Sequence, residues 1–209
     1  TSPAWIVYKA ADQFSPPTTA VNQLWQTDFT YLKVTGWGWY YLSTVMDDYS
    51  RYIISWRLCT GMAASDVSAT LKDALKNAGL AKKQRPKLLS DNGPCYISSE
   101  LKHWLDEHGM DHTRGKPYHP MTQGKIERWH RSLKNSILLE NYYLPEDLER
   151  QVAKFVNHYN KERYHESLNN LTPEDVWLGR GQAILDHRRK IKEKTMKLRK
   201  KLYLERTAA

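Results

Sequence analysis

The stretch WQTDFTYLKVTGWGWYYLSTVMDDYSRYIISWRLC, residues 25–59, decides the fold. It contains three runs that are dense in aromatic and β-branched residues, separated by the turn segments TGWG and DDYS. Such residues favour strands, and short turn signals between the runs are typical of hairpins. The stretch therefore predicts three antiparallel strands in series, over residues 25–34, 37–47 and 50–60.

Beyond residue 60, strands alternate with helices. Apolar residues take helical spacing, and glycines or prolines mark where the segments stop. This pattern predicts an α/β fold, in which a mixed sheet has helices on its faces. The predicted helices cover residues 66–78, 98–108, 123–140 and 146–161, with a short helix opened by Thr172 and Pro173, and the further strands cover residues 86–90 and 110–114.

The composition allows one domain with an appendage. The chain has 209 residues, 40% of them hydrophobic, and a net charge of +9. From residue 186 to residue 206 there are ten basic residues and three acidic ones, so this segment carries +7 of the +9. A basic arm suits a polyanion such as nucleic acid, although a solvated helix has the same composition. Its apolar positions could pack on the body or on a second copy: Ile184, Ile191, Leu198 and Leu202.

Several classes of protein are excluded. No apolar run reaches the roughly 18 residues of a membrane span, and the first residues lack the order of a secretory signal. The two cysteines, Cys59 and Cys95, have neither the spacing of metal ligands nor the density of a disulfide scaffold. We therefore expect a soluble cytoplasmic protein without a zinc site or a membrane partner.

Three acidic residues occupy unusual positions. Asp28 lies within an apolar strand-like run, Asp91 follows a short strand, and Glu127 lies on a helix with a clean apolar face. Strand interiors are depleted in aspartate. Each acid also has an ordinary explanation: an edge strand facing solvent for Asp28, a turn for Asp91, and a helix surface for Glu127.

Helix geometry predicts where the third acid, Glu127, lies relative to the apolar face of its helix. At about 100° per residue, the apolar residues of this helix form one stripe, and Glu127 and Lys134 flank it side by side. A carboxylate at the edge of the stripe can reach the end of the sheet and still meet a ligand. The stripe consists of Ile126, Trp129, Leu133 and Ile137.

The spacing of the acids and the surrounding motifs resemble a known family. Asp28 is followed after 62 residues by Asp91, and Asp91 after 35 residues by Glu127, which resembles the catalytic triad of DDE transposases and retroviral integrases. The resemblance covers about residues 22–180, and its last part is similar to bacterial insertion-sequence transposases. The motifs are WQTDFTYL, VMDDYSRYIISW, LLSDNGPCYIS, PYHPMTQGKIERWHRSLK and NHYNKERYHESLNNLTPEDVWLGR.

This resemblance implies an RNase H-like fold with a five-stranded mixed sheet, whose first and fourth strands are adjacent. It divides the chain into an extended arm (1–22), a catalytic core (23–161) and a C-terminal helical basic extension (162–209). The implied activity is the cleavage and strand transfer of DNA ends, with Asp28, Asp91 and Glu127 as catalytic ligands of two Mg²⁺ or Mn²⁺ ions. Crowded acids repel one another without metal, so we expect a raised pKa at the site.

The resemblance also implies DNA as partner, both element ends and target, and a homo-oligomer on that DNA. Because no helix-turn-helix region precedes Asp28, we expect a fragment, a split product, or a core that relies on a separate helix-turn-helix polypeptide for sequence recognition. We also expect association with the nucleoid when DNA is bound. Two alternatives remain open: a catalytically idle DNA-binding or assembly fragment, and an RNase H-like nuclease. The expected DNA contacts are Lys134, Arg131, His130, Tyr118, Lys116 and Lys125, while Asp47 and Asp48 are expected to shape a hairpin turn rather than to bind metal.

Overall fold

A single five-stranded sheet organises the computed structural model, which describes residues 17–81, 84–115 and 123–207. Its strands are β1 (Leu24–Val34), β2 (Gly38–Asp47), β3 (Ile53–Cys59), β4 (Lys87–Ser90) and β5 (His112–Arg114). They lie in the order β3-β2-β1-β4-β5. The first three pair antiparallel, whereas β4 pairs parallel to both β1 and β5. The predicted meander and mixed sheet are confirmed.

Two helices end at the glycines that the sequence predicts, whereas the helix predicted over residues 123–140 already ends at Ile137. Gly79 and Gly109 adopt left-handed backbone conformations directly after two helices, as glycine does readily. The Thr172 hydroxyl accepts a hydrogen bond from the backbone N–H of Asp175 and caps another. Neither the four-residue helix after the DNG turn nor the single 3-10 turn Glu166–Leu168 was predicted. The helices are α1 (Ala64–Ala78), α2 (Pro94–Ile97), α3 (Ser99–His108), α4 (Gly124–Ile137), α5 (Pro145–Lys161), α6 (Pro173–Trp177) and α7 (Gly181–Thr207).

Helices cover both faces of the sheet, and side chains alternate between them along β1. Trp25 faces the core formed with α1 and α3, whereas Leu32 faces the core formed with α4 and α5. Asp28 shares the even-numbered face of β1 with Leu32, so its side chain is directed towards α4. The predicted apolar stripe of α4 is confirmed, because Ile126, Trp129 and Leu133 are at most 1% exposed.

The last helix lies largely outside these cores. Within α7 only Gly181 is buried, and Ile191, Leu198 and Leu202 are 50%, 57% and 54% exposed. Ile184 at the start of its apolar stripe is partly buried, whereas the rest of the stripe is exposed. None of the helices described here has the length and apolar character needed to cross a membrane.

Candidate active site

The two aspartates lie side by side at the centre of the sheet. Strands β1 and β4 pair in parallel, with Gln26 opposite Leu89. Asp28 follows Gln26 by two residues and Asp91 follows Leu89 by two, so continuing this register places the two acids side by side, and the charge of Asp28 acts on the pKa of Asp91. Neighbouring strands are about 4.8 Å apart. The predicted adjacency of the first and fourth strands is confirmed, and it brings together two acids that are far apart along the chain.

The Asp28 carboxylate is held from two sides. Its Oδ1 accepts a hydrogen bond of 2.8 Å from the backbone N–H of Phe29. Its Oδ2 lies 3.4 Å from Nδ1 of His130, a residue of α4 that is 7% exposed. His130 thus contacts an acid of the site and offers little of its ring to solvent.

The Asp91 carboxylate is fixed by the turn that follows it. Its Oδ1 accepts a hydrogen bond of 2.9 Å from the backbone N–H of Gly93. Burial raises the pKa of Asp91, the Gly93 N–H lowers this pKa, and the charge of Asp28 raises it. A Cβ atom at position 93 would lie 3.0 Å from Asp91 Oδ1, so glycine leaves room for the carboxylate. The pKa of Asp91 is raised as expected, but burial contributes more to this shift than the neighbouring acid does.

A buried tyrosine lies close to both aspartates. Tyr96 of α2 is 4% exposed, and its ring packs against Phe29 with centroids 6.2 Å apart. Burial and the charge of Asp28 raise its pKa well above the ordinary value, so the phenol stays protonated. The Thr27 hydroxyl interacts with the Tyr96 hydroxyl and lowers this pKa by a smaller amount. An apolar wall thus backs the two acids.

Glu127 lies beside this pair but does not join it. It belongs to the first turn of α4 and is exposed. The residue before it, Ile126, donates a backbone hydrogen bond to β1, and His130, three positions on, contacts Asp28. Residues three apart on a helix are neighbours. Across residues 17–81, 84–115 and 123–207, no three His, Cys, Asp or Glu side chains are grouped closely enough to hold a metal ion.

The residues expected to contact DNA have different surroundings. The Lys134 ammonium lies 4.0 Å from the ring centroid of Tyr31, an exposed residue of β1. Lys125 instead donates to the Asp48 carboxylate at 2.7 Å. Arg131 is exposed on α4, and His130 is buried against Asp28. Lys116 and Tyr118 lie outside the described residues.

The two aspartates at the end of β2, Asp47 and Asp48, have structural roles that the sequence reveals only in part. Asp47 Oδ2 accepts hydrogen bonds from the backbone N–H and the hydroxyl of Ser50, so its expected hairpin role is confirmed. Asp48 also accepts from the side chain of Gln26. Sequence reasoning missed Gln26, although a polar residue between Trp25 and Asp28 in an apolar strand was a signal for it.

A group of arginines adds positive charge on the α5 side. Arg163 lies 5.6 Å from the ring centroid of Tyr159, which packs edge-on against His165 at 5.0 Å. Burial and, to a smaller extent, the charges of Arg163, Arg51 and Arg128 together lower the pKa of His165 to about 4. No carboxylate lies within 4 Å of these three guanidinium groups in the described residues. The sequence analysis missed this group.

Comparison with known proteins agrees with this geometry. Two family models, both described as "Integrase core domain", match residues 18–120 and 108–173. The Gag-Pro-Pol polyprotein of Simian retrovirus SRV-2 is 33% identical over 137 residues, or 65% of the chain. That of Mouse mammary tumor virus is 29% identical over 141 residues, or 66% of the chain. The chain spans only 7% and 8% of the lengths of these polyproteins.

Solved structures share the fold. A chain of the simian T-cell lymphotropic virus intasome, in complex with the PP2A regulatory subunit B56 gamma, has a TM-score of 0.67 and 25% identity, covering 78% of this chain and 56% of the other. The HTLV-2 integrase catalytic core domain in complex with magnesium has a TM-score of 0.60 and 21% identity, covering 75% and 97%. The two family models together extend from residue 18 to residue 173, across the whole sheet and both acids at its centre. The chain therefore belongs to the integrase core family and has the RNase H-like fold of retroviral integrase catalytic cores.

Proposed function

We propose that this chain is the catalytic core of a DNA transposase or integrase of the DDE type, from a bacterial insertion sequence. It cuts DNA and joins DNA ends by polynucleotidyl transfer that depends on divalent metal. The observation that carries the proposal is the parallel register that brings Asp28 and Asp91 together in an integrase core fold. Phosphodiester transfer needs negative ligands that gather cations beside the phosphate.

The donor set fits a hard divalent cation. Asp28 and Asp91 offer adjacent carboxylates, and the raised pKa of Asp91 reflects burial and repulsion that a bound cation would relieve. We propose that Asp28, Asp91 and Glu127 hold Mg²⁺ or Mn²⁺, as two ions. Bound metal lowers the pKa of an attacking water or 3′-hydroxyl and stabilises the leaving oxygen.

The chain's own residues orient these ligands. His130 holds one oxygen of Asp28, and the Gly93 N–H holds one oxygen of Asp91. The buried ring of Tyr96 forms an apolar wall behind them, which strengthens electrostatic interactions at the site. Glu127 can complete the set from the first turn of α4, because its exposed side chain is free to turn towards Asp28 when substrate and metal arrive.

Positive charge around the acids supports DNA as the substrate. Lys134 lies two turns beyond Glu127 on α4, and its contact with Tyr31 holds a cation near the site. Helix α7 adds an exposed basic surface. We propose that Lys134, Arg131 and α7 contact phosphates of the element end and the target. Joining two ends requires more than one active site, so the protein works as a homo-oligomer on DNA in the bacterial cytoplasm, with end recognition supplied by a helix-turn-helix polypeptide.

The test is strand transfer with duplexes that mimic element ends, in Mg²⁺ or Mn²⁺. We expect wild-type protein to nick and join, and Asp91→Asn to lose about 10³-fold in rate, because metal ligation supplies several kcal/mol of transition-state stabilisation. Asp73→Asn, which breaks an exposed ion pair with Arg57, is the matched control. Equal rates in wild type and Asp91→Asn would remove the mechanism, and degradation of RNA·DNA hybrids without joining would indicate a nuclease.

One observation favours a second candidate, a DNA-binding or assembly fragment without turnover. Glu127 is not grouped with the two aspartates among the described residues, while α7 presents a basic surface. This candidate predicts binding that weakens steeply with salt and no metal-dependent product. The same strand-transfer assay separates the two, since only the first candidate forms joined DNA.

A further inference from the structure

The side chain of Gln26 connects the strand of the first acid to the helix of the third. Gln26 lies two residues before Asp28, on the same face of β1, and is 2% exposed. Its Oε1 accepts a hydrogen bond of 3.2 Å from the backbone N–H of Ile126, the residue before Glu127. Its Nε2 donates to Asp48 Oδ1 at 2.7 Å. Both polar ends of this buried amide are therefore committed.

These contacts support the start of helix α4, where the described residues provide no side-chain cap. The N–H groups of a first helical turn have no partner inside the helix. The residue before α4, Gln123, makes no side-chain cap, and its Nε2 instead lies 3.4 Å from the carbonyl oxygen of Thr27. Gln26 therefore supplies from β1 the acceptor that a local cap would supply elsewhere.

Asp48, which accepts the hydrogen bond from the Gln26 side chain, also binds residues of two other segments. It is 6% exposed, and its Oδ2 accepts hydrogen bonds from Lys125 at 2.7 Å and from Thr18 at 2.6 Å. Lys125 also donates to the Asp48 carbonyl oxygen at 2.9 Å. The buried carboxylate is thus paired with a cation that belongs to the first turn of α4. Two consecutive residues of that turn, Lys125 and Ile126, are held by one network.

We infer that Gln26 and Asp48 are positioning residues, which fix the first turn of α4 and thereby the distance from Glu127 to Asp28. This inference rests on the proposed function, because it assigns a role in assembling that site. Both side chains are buried and hydrogen-bonded within the chain, so we assign them no direct contact with DNA or metal. Their effect on the reaction comes through the backbone of residues 125–127, which immediately precede or include the third acid.

A positioning role and a purely stabilising role predict different effects of substitution on the reaction rate and on the melting temperature. Displacement of a reacting group by about 1 Å can cost 10²-fold in rate. A residue that only stabilises the fold would change the melting temperature and leave kcat of the folded protein intact. A positioning residue changes kcat while the KM for DNA stays the same.

A charge swap tests the network. Gln26→Glu keeps the acceptor for Ile126 but places a carboxylate against that of Asp48. Asp48→Asn leaves two amides in contact, and every orientation of them puts one N–H against another donor. In the double variant the amide introduced at position 48 donates to the new carboxylate at position 26, and its oxygen still accepts from Lys125. We expect each single variant to lose about 10- to 100-fold in kcat and the double variant to recover to within about threefold of wild type.

The outcomes separate this inference from the proposed function. Wild-type kcat in both single variants, or loss without recovery in the double variant, overturns the positioning role while strand transfer by wild type stands. If wild type itself shows no transfer, hydrogen exchange of the Ile126 amide decides. We expect faster exchange there in Gln26→Leu than in the control Asp73→Asn, and equal protection overturns the inference. If Gln26→Glu does not fold, Asp48→Asn and the double variant give the same comparison.

Discussion

Nδ1 of His130 lies 3.4 Å from Oδ2 of Asp28, so a buried imidazole on α4 holds the carboxylate that β1 presents. Because Asp28 is on the central strand, this contact also ties helix and sheet together at the site. The sequence analysis assigns His130 to a DNA contact, whereas its burial in the fold favours a role in orienting the Asp28 carboxylate. The two roles predict different kinetics.

We expect His130→Ala to lower kcat about tenfold and to leave the Kd for DNA unchanged, because the lost contact orients Asp28. His130→Gln, which can still donate to the carboxylate, recovers part of the rate. His103→Ala, on the exposed face of α3, is the control. Steady-state strand transfer and fluorescence anisotropy measure the two quantities, and a weaker Kd with unchanged kcat would assign His130 to DNA instead.

The raised pKa of Asp91 predicts a pH-dependent stability in metal-free buffer. An acid whose pKa is higher in the folded state destabilises the fold once it is ionised. Asp91→Asn should therefore raise the melting temperature at pH 7, and this gain should shrink as pH falls through the raised pKa towards the ordinary value of 3.8. Differential scanning fluorimetry between pH 7.5 and 4.5 measures the trend.

Added Mg²⁺ provides the matching control for that experiment. It should stabilise wild type more than Asp91→Asn, because a ligand that binds only the folded state raises stability by mass action. An Asp91→Asn protein that melts below wild type at pH 7 without metal would contradict the raised pKa.

Lys134 should act on DNA affinity. We expect Lys134→Ala to weaken DNA binding and to reduce the slope of log K against log salt by about one, because one phosphate contact is lost. Lys134→Arg keeps the charge and should retain the slope. Lys72→Ala, exposed on α1 at the opposite face of the sheet, is the control, and an equal loss in that variant would point to a general charge effect.

Removal of most of α7 should separate binding from folding. Truncation after Arg189 keeps the contact of Arg188 with the Asn170 carbonyl oxygen and deletes only exposed turns. The melting temperature should change by no more than about 1 °C, since little packing is lost. DNA affinity and its salt dependence should both fall, as measured by anisotropy at several salt concentrations.

Two substitution sets distinguish charge from apolar contact in α7. Replacing Lys192, Lys194 and Lys197 by glutamine should reproduce the loss of DNA affinity. Replacing Leu198 and Leu202 by alanine should leave that affinity intact. A change of oligomeric state by the alanine set, seen by light scattering, would show that the apolar stripe of α7 binds a second copy.

Local signals in the sequence predicted most of the fold. Helix-end signals act within a few residues, so one short segment of sequence is enough to predict them. Examples are the glycines after α1 and α3 and the Thr172 cap. The α4 stripe follows from helix period alone. The adjacency of Asp28 and Asp91 came from the resemblance to a family rather than from local patterns.

Side-chain contacts between residues far apart in the chain could not be predicted from the sequence. The bond between Gln26 and Ile126 joins residues 100 positions apart, and no local pattern specifies it. Lys125 appears in the sequence as a free cation beside Glu127, and only the fold shows that Asp48 neutralises it. The arginines around His165 come from separate segments and meet only after folding. A sequence pattern thus predicts the helix or strand to which a side chain belongs more readily than it predicts the residue that this side chain contacts.

The length of α7 has a geometric consequence for the extent of nucleic acid that the chain can cover. Its 27 residues form a continuous rod, about 40 Å long at 1.5 Å per residue. This matches about 12 base pairs of B-form duplex at 3.4 Å each, more than a full helical turn. Nuclease footprints of the intact chain should therefore extend roughly one turn further from the scissile phosphate than footprints of the sheet and its covering helices alone.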